Sequence, residues 1–209
     1  VVFQNRLNAC VGKIKSILDE GIYGDILGVR GLVTWYRSKE YYNAAEWRGK
    51  WATEGGGVLI NQAVHSLDLL SYLVGDINSV KANMMNYSHE DVIEVEDTMV
   101  GYLGFANGIK GIFFATNSYP ITSPVQIELV FEKGVANYMN GKLFINDEFV
   151  VENEVARTGK SYWGASHKRI FKGFYDEGKY FNIFDAENTM NTLYAMYESA
   201  KNGGKEMLC

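Results

Sequence analysis

The sequence predicts an α+β domain: an open, mainly antiparallel β-sheet with helices packed on one face. Three observations lead there. Helical periodicity occupies both ends of the chain. Between them, from about residue 98 to 151, runs a series of short β-branched and aromatic segments. Asn-Gly and x-Gly pairs separate those segments, and such pairs supply the positive φ angles that tight hairpins need. A sheet and helices that each carry one apolar face bury them best against one another. The 209 residues and 47% hydrophobic content suit a single domain, 1–209, with a substantial core.

Element by element, Val1 to Phe3 reads as a short strand-like run. Asn8 is placed to cap a helix reaching about Glu20, with Val11, Ile14, Ile17 and Leu18 at helical spacing. Gly21 and Gly24 stop it, and Ile26 to Tyr36 reads as a strand. Ser38 to Thr53 lacks a clean period and reads as a structured loop with a short helix. Gly55-Gly56-Gly57 opens a second long helix ending near Gly75. Strands follow at Val80 to Asn86, Thr98 to Phe105, Ile109 to Ser118, Val125 to Phe131, Val135 to Met139, Lys142 to Ile145 and Glu148 to Val151. Those from about residue 98 to 151 are expected to form an antiparallel meander. Ser166 to Glu177 and Asp185 to Lys201 return to helix, the last with Ala186, Met190, Leu193, Tyr194 and Tyr197 on one face.

Composition narrows the partners. The formal net charge is -5, and the longest basic cluster is Lys168-Arg169, so nucleic acid is not expected. The most apolar stretch, Val58 to Val74, is broken by Asn61, Gln62, His65, Ser66 and Asp68, so no membrane span is expected. Cys10 and Cys209 fit neither a metal spacing nor a disulfide framework, which points to a reducing cytoplasm. The opening Val1-Val2-Phe3-Gln4 reads as cut from a longer chain. Leu103, Phe105, Ile112, Phe113 and Phe114 place apolar side chains on both parities of the sheet. A second covered face of that kind predicts a homo-oligomer formed through the sheet.

The segment GGGVLINQAVHSLDLLSYLVG, residues 55–75, holds no Lys, Arg or Glu. A helix of this length with a wet face carries several long charged side chains, so this one is predicted to be largely buried. Asn61, His65, Asp68 and Tyr72 stand at i, i+4, i+7 and i+11, one polar stripe on an apolar helix. Buried polar groups need partners. Either the stripe satisfies itself as a core histidine oriented by Asp68, or it faces a cleft for a hydroxyl-rich ligand such as a sugar or polyol. Histidine is the side chain suited to acid/base work near neutral pH.

The same string resembles the signature helix of the glucose–fructose oxidoreductase/inositol dehydrogenase (Gfo/Idh/MocA) family. VVFQNRLN, EWRGKW, EVEDT, NGIKGIFFAT and YWGASHKRIFKGFYD match other family segments in the same order, over nearly the whole chain. The resemblance implies the C-terminal domain of a two-domain enzyme, with the dihydrodipicolinate reductase-like C-terminal fold and the N-terminal Rossmann domain absent. It implies NAD or NADP in the full-length parent, a sugar, sugar derivative or cyclic polyol as substrate, and hydride transfer between them. By that resemblance His65 is the catalytic proton acceptor and Asn61 a substrate-hydroxyl ligand, in the position where inositol dehydrogenase-like members carry aspartate and many sugar-nucleotide members carry asparagine.

Two departures follow. Asn61 carries no charge to raise the basicity of His65. The family's Glu-Lys-Pro lysine has no counterpart, since Pro120 and Pro124 are the only prolines and neither follows lysine, and no dinucleotide-binding glycine motif follows a strand. Both motifs belong to the missing domain, so this chain alone is expected neither to bind nicotinamide well nor to turn over. The alternative is a non-catalytic ligand-binding or oligomerisation module derived from such an enzyme.

Other candidates have plainer readings beside them. Arg6 is a substrate or cofactor contact, or an ordinary salt bridge. Trp47, Arg48 and Trp51 line a sugar site by stacking, or pack in the core. Tyr162, with Trp163 and His167, forms an aromatic entrance to a helix that Ser166 caps, and Tyr162 is taken as a pocket residue. Glu94, Glu96 and Asp97 read as a solvated strand edge rather than a metal cluster, and His89 as a surface residue.

Overall fold

The computed structural model of the chain describes residues 2–154, 165–176, 178 and 182–209. Val2 and Phe3, expected in a strand-like run, have no regular secondary structure, and a 3-10 turn, Gln4–Leu7, follows them and leads into helix α1, Ala9–Glu20. Val11, Ile14 and Ile17 form its buried side. Gly21, at φ 64°, ends it by donating its N–H to the Ile17 carbonyl. In strand β1, Ile26–Thr34, Val29, Gly31 and Val33 are buried and the residues between them are half-exposed. Helix α2 is short, Lys39–Asn43, and the Ser38 hydroxyl accepts the Tyr41 N–H at its start.

The glycine run then leads into one π-helical turn, Leu59–Ala63, continued by helix α3, Val64–Val74. Strands β2, Ile77–Met85, β3, Thr98–Phe105, β4, Lys110–Thr116, β5, Gln126–Phe131, β6, Gly134–Met139, β7, Lys142–Ile145, and β8, Glu148–Glu152, come next. Helix α4, His167–Asp176, helix α5, Glu187–Lys201, and the edge strand β9, Met207–Leu208, complete the chain. The tight turns are where the sequence puts them: Asn140-Gly141 and Asn146-Asp147 all have positive φ, from 52° to 72°.

The described strands form one open sheet in the order β8-β7-β6-β5-β1-β4-β3-β2-β9. The expected meander is therefore interrupted. β1 inserts between β4 and β5, parallel to β4 and antiparallel to β5, with Arg30 opposite both Ile112 and Glu128. The reason lies in the connections. β3 joins β4 through Asn107-Gly108, and β5 joins β6 through a two-residue turn. The segment between β4 and β5 carries both prolines and has no hairpin signature, so it is free to step across a strand.

Helix α3 packs on β1 and α5 on β2, all on one face of the sheet. Leu67 and Leu70 of α3, Leu193 and Met196 of α5, and Met99, Leu103, Phe113, Ile127 and Leu129 of the sheet form the sealed core. Tyr194, expected on the inner face of α5, is exposed, and Met196 and Thr192 are buried instead. The helix turns its Thr189, Leu193, Met196 and Tyr197 side inward.

The N-terminus of the Leu59–Val74 helical run has no capping side chain of its own. Its unpaired N–H groups are taken by a carboxylate from across the fold. Glu96, just before β3, accepts from Gly57 N–H at 2.9 Å, Leu59 N–H at 3.0 Å and the Tyr197 hydroxyl at 2.9 Å. Its backbone carbonyl accepts from Val58 N–H at 3.1 Å. The approach is close enough to require glycine. A Cβ on Gly57 would lie 1.8 Å from the Glu96 carbonyl oxygen, and one on Gly56 2.0 Å from the Tyr197 hydroxyl.

Gly57→Ala must push that strand away and is expected to cost roughly 3 kcal/mol in urea denaturation. Gly12 lies inside α1 with open space where a Cβ would go. Gly12→Ala is expected to stabilise by about 0.5–1 kcal/mol in the same assay. Equal small effects at the two positions would mean that the glycine run marks only a turn.

Candidate functional site

The π-helical turn decides which polar side chains of the helix reach the cleft. Such turns change the angular offset between neighbouring side chains and recur at functional sites. Here the expected stripe is divided. Asp68 turns inward and is fully buried. Its carboxylate accepts from Arg6 Nε at 2.9 Å and Nη2 at 2.5 Å, and from the Thr189 hydroxyl at 2.9 Å. The Arg6 guanidinium also donates to the Asp185 carbonyl at 2.7 Å and lies 4.9 Å from the Tyr72 ring centroid and 5.2 Å from that of Phe3. The lower half of the stripe, Asp68 and Tyr72, thus belongs to a clamp joining the chain's first turn, α3 and α5. Arg6 is 7% exposed and committed to it. Asp68 reaches His65 through its charge rather than as a hydrogen-bond partner.

His65 faces a cleft lined by Asn5, Trp35, Gln62, Ser66, Val125 and Tyr138. Phe3 meets its ring edge-on, with centroids 5.7 Å apart. Its Nδ1 is buried and has no hydrogen-bond partner. Burial pushes the imidazole pKa below its ordinary value; the Asp68 charge opposes this and His167, the first residue of α4, adds to it. A neutral, desolvated imidazole with an unused nitrogen is equipped to accept a proton or a hydroxyl hydrogen bond.

Gln62 is the cleft residue that the stripe reading missed. Its amide donates to the Tyr41 hydroxyl at 3.2 Å and accepts from Asn117 Nδ2 at 2.9 Å. Asn61 sits a turn before His65, donates its amide to Glu54, and is not among the residues lining this cleft. Trp51 is also elsewhere: its indole donates to the Glu94 carbonyl at 3.0 Å and packs edge-on against Tyr197. Tyr162 and Trp163 lie outside the described residues.

Of the acidic segment expected at a solvated edge, Glu94 is exposed, but Glu96 and Asp97 are not. Glu96 is 3% exposed and Asp97 is fully buried, and no metal-holding cluster occurs among the described residues. His89, expected at the surface, is 3% exposed. Its Nδ1 stands 2.9 Å from Asp97 and its Nε2 2.8 Å from the Arg37 carbonyl. Asp97 also accepts from Tyr87 N–H at 3.0 Å, Ser88 N–H at 2.9 Å and the Ser118 hydroxyl at 2.5 Å. Burial works to raise the Asp97 pKa, but these donors outweigh it and hold the carboxyl below its ordinary value. The network ties residues 86–97 to the end of β1, where Trp35 enters the cleft.

The geometry defines a class: a sheet-and-helix domain that presents one desolvated histidine, on a π-interrupted helix, to a polar and aromatic cleft. The GFO/IDH/MocA C-terminal domain matches residues 11–137, and the chain belongs to that family. It is 27% identical over 139 residues to levoglucosan dehydrogenase of Pseudarthrobacter phenanthrenivorans, covering 56% of this chain and 36% of that protein. The WlbA dehydrogenase of Bordetella pertussis, solved with NADH and UDP-GlcNAcA, is 31% identical with a TM-score of 0.80, covering 100% of this chain and 62% of that one. A levoglucosan dehydrogenase solved with NADH and levoglucosan shares the fold at a TM-score of 0.82 and 22% identity, with 99% and 64% covered. This chain therefore spans about a third of the curated relative and under two thirds of these solved chains.

Removing Asp68 alone strands the Arg6 charge in the interior. Asp68→Ala is expected to cost about 3–5 kcal/mol by denaturant titration, and Arg6→Met with Asp68→Leu to recover most of it. A cost near zero would return Arg6 to the role of a ligand contact.

Proposed function

We propose that this chain is the substrate-facing domain of a longer NAD(P)-dependent oxidoreductase acting on a sugar, sugar derivative or cyclic polyol, with His65 as the group that exchanges the hydroxyl proton. The observation that carries the reading is the buried, unpartnered Nδ1 of His65 in a cleft lined by polar and aromatic side chains. A hydroxyl-rich ligand offers such a nitrogen a partner. The dehydrogenases to which the chain is similar support the same reaction class. A nicotinamide cofactor held by a separate Rossmann domain would supply the hydride acceptor. In the oxidising direction the proton of the substrate hydroxyl passes to His65, whose lowered pKa keeps it neutral and ready to receive it. Asn61, whose amide is bonded to Glu54, and Tyr162 belong to the proposal as further substrate contacts. Arg6 acts by holding the helix, and Trp51 by packing behind it.

The outer sheet face belongs to the same proposal. Ile112 and Tyr102 are exposed there, and Leu32, Val100 and Phe114 are half-exposed beside them around an Arg30–Glu128 pair at 2.8 Å. A second copy of the chain is the natural cover for an apolar patch of this kind. A cytoplasmic setting fits two free cysteines, of which Cys10 is buried with its thiol pushed up to about 11. No helix among the described residues is long and apolar enough to cross a membrane.

A second reading, a non-catalytic module, draws on Asn61, whose amide is tied to Glu54 and which adds no charge beside His65. In the longer enzyme, His65→Ala is expected to lower kcat by roughly 10²–10⁴-fold while Tm moves by only a few degrees. Because the folded-state pKa of His65 is lowered, the neutral form persists below the ordinary imidazole range. The acid limb of kcat/KM should lie there too and vanish in the variant. Unfolding of the variant, or an unchanged rate, sinks the catalytic role. In sedimentation velocity, Phe114→Lys is expected to shift the assembly towards monomer, and an unchanged species would remove the sheet face as an interface.

A further inference from the structure

Beside the His65 cleft, two guanidinium groups gather on one tyrosine. Arg48 Cζ lies 4.2 Å from the Tyr41 ring centroid, and Arg37 Cζ 5.2 Å from it. Arg37 also lies 5.0 Å from the Trp35 ring, and Arg48 5.2 Å from that of Trp47. Stacking uses the flat faces of a guanidinium and leaves its in-plane N–H groups at the edge, where a carboxylate or phosphate binds.

Those edges are under-used here. Arg37 donates from Nη1 to the Tyr36 carbonyl at 2.8 Å, and Arg48 from Nη1 to the Tyr41 carbonyl at 2.7 Å. The buried Arg48 Nε has no hydrogen-bond partner. The ion pairs of the described residues engage Arg6, Arg30, Lys39, Lys81, Lys142, Arg169 and Lys201, and neither of these two. In a chain of net charge -5, two neighbouring cations without a carboxylate are left for an outside anion.

The pair is also joined to the cleft twice over. Trp35 lines the cleft and stacks with Arg37, and Gln62 lines the cleft and bonds the Tyr41 hydroxyl. We propose that Arg37 and Arg48, set by Tyr41, form an anion-recognition subsite beside the His65 cleft that takes the carboxylate or phosphate group of an anionic sugar. The subsite rests on the reading of that cleft as a sugar site and adds the charge of its substrate.

The test is calorimetric titration of the full 209-residue chain with glucose, glucuronate and glucose 1-phosphate at fixed ionic strength. At least one anionic sugar is expected to bind about tenfold or more tightly than glucose, and the stronger of the two identifies carboxylate or phosphate as the group held. Arg37→Gln with Arg48→Gln should bring the preference to within about twofold, while Tyr41→Phe, which keeps the stacking ring, should retain it. Arg37→Gln alone, at a half-exposed position, covers the case in which the double variant misfolds. Equal binding of glucose and both anions, no binding of either anion, or a preference that survives in the arginine variants overturns the subsite. Turnover by the longer enzyme is read separately. Its absence with the anion preference intact sinks the dehydrogenase reading alone, and turnover without the preference sinks the subsite alone.

Discussion

The site depends on one buried carboxylate. Glu96 stands where the helix carrying His65 begins, and it gives that helix the acceptors its own sequence does not provide. Burial raises its pKa, and the donors around it, from Leu59, Tyr197 and Gly57, work in the opposite direction. Among the described residues no cation pairs with it, so the helix N-terminus itself supplies the compensating positive end. The three glycines are the steric condition for this contact. With side chains at Gly56 and Gly57 the strand, the helix start and Tyr197 could not come together. What looks like a ligand-cradling loop in the sequence is a joint between sheet and helix.

A second buried carboxylate fixes the other coordinate of the same helix. Asp68 binds Arg6 and Thr189, so the chain's first turn and α5 both close on α3. Glu96 sets where the helix starts and Asp68 sets its rotation. His65 lies between the two anchors and is left with a nitrogen that no protein group satisfies. The third buried acid, Asp97, acts through His89 on the end of β1 and so positions the opposite wall at Trp35. Three acids close together in sequence or in the helix each hold a different wall, and none of them faces the cleft.

Much of the fold was legible because it is local. The 3.6-residue pattern of α1 and α5, the alternation of β1 and the Asn-Gly turns all report on neighbours in the chain, and the structure follows them closely. The insertion of β1 between β4 and β5 was not legible, because no residue near either strand announces a partner some eighty positions away. The site divided the same way. His65 stood out as the one basic side chain in an apolar segment. The π-helical turn that sends Asn61 towards Glu54 and Gln62 into the cleft has no signature in the spacing. Glu96 and Asp97 looked like a solvated edge, and His89 like a surface residue, because alternation reports exposure only where one sheet face meets water. The missing cap at Gly56-Gly57 was the available clue that an acceptor had to arrive from elsewhere.

The central claim is that His65 is a desolvated, neutral imidazole held open for a ligand. Titration of this chain followed by 15N NMR of the histidine side chains measures it directly. The account predicts that His65 protonates below the ordinary imidazole range, and that its ring nitrogens shift when a bound sugar takes the unused Nδ1. An imidazole that titrates at or above that range, or one blind to every sugar that binds the chain, would contradict it.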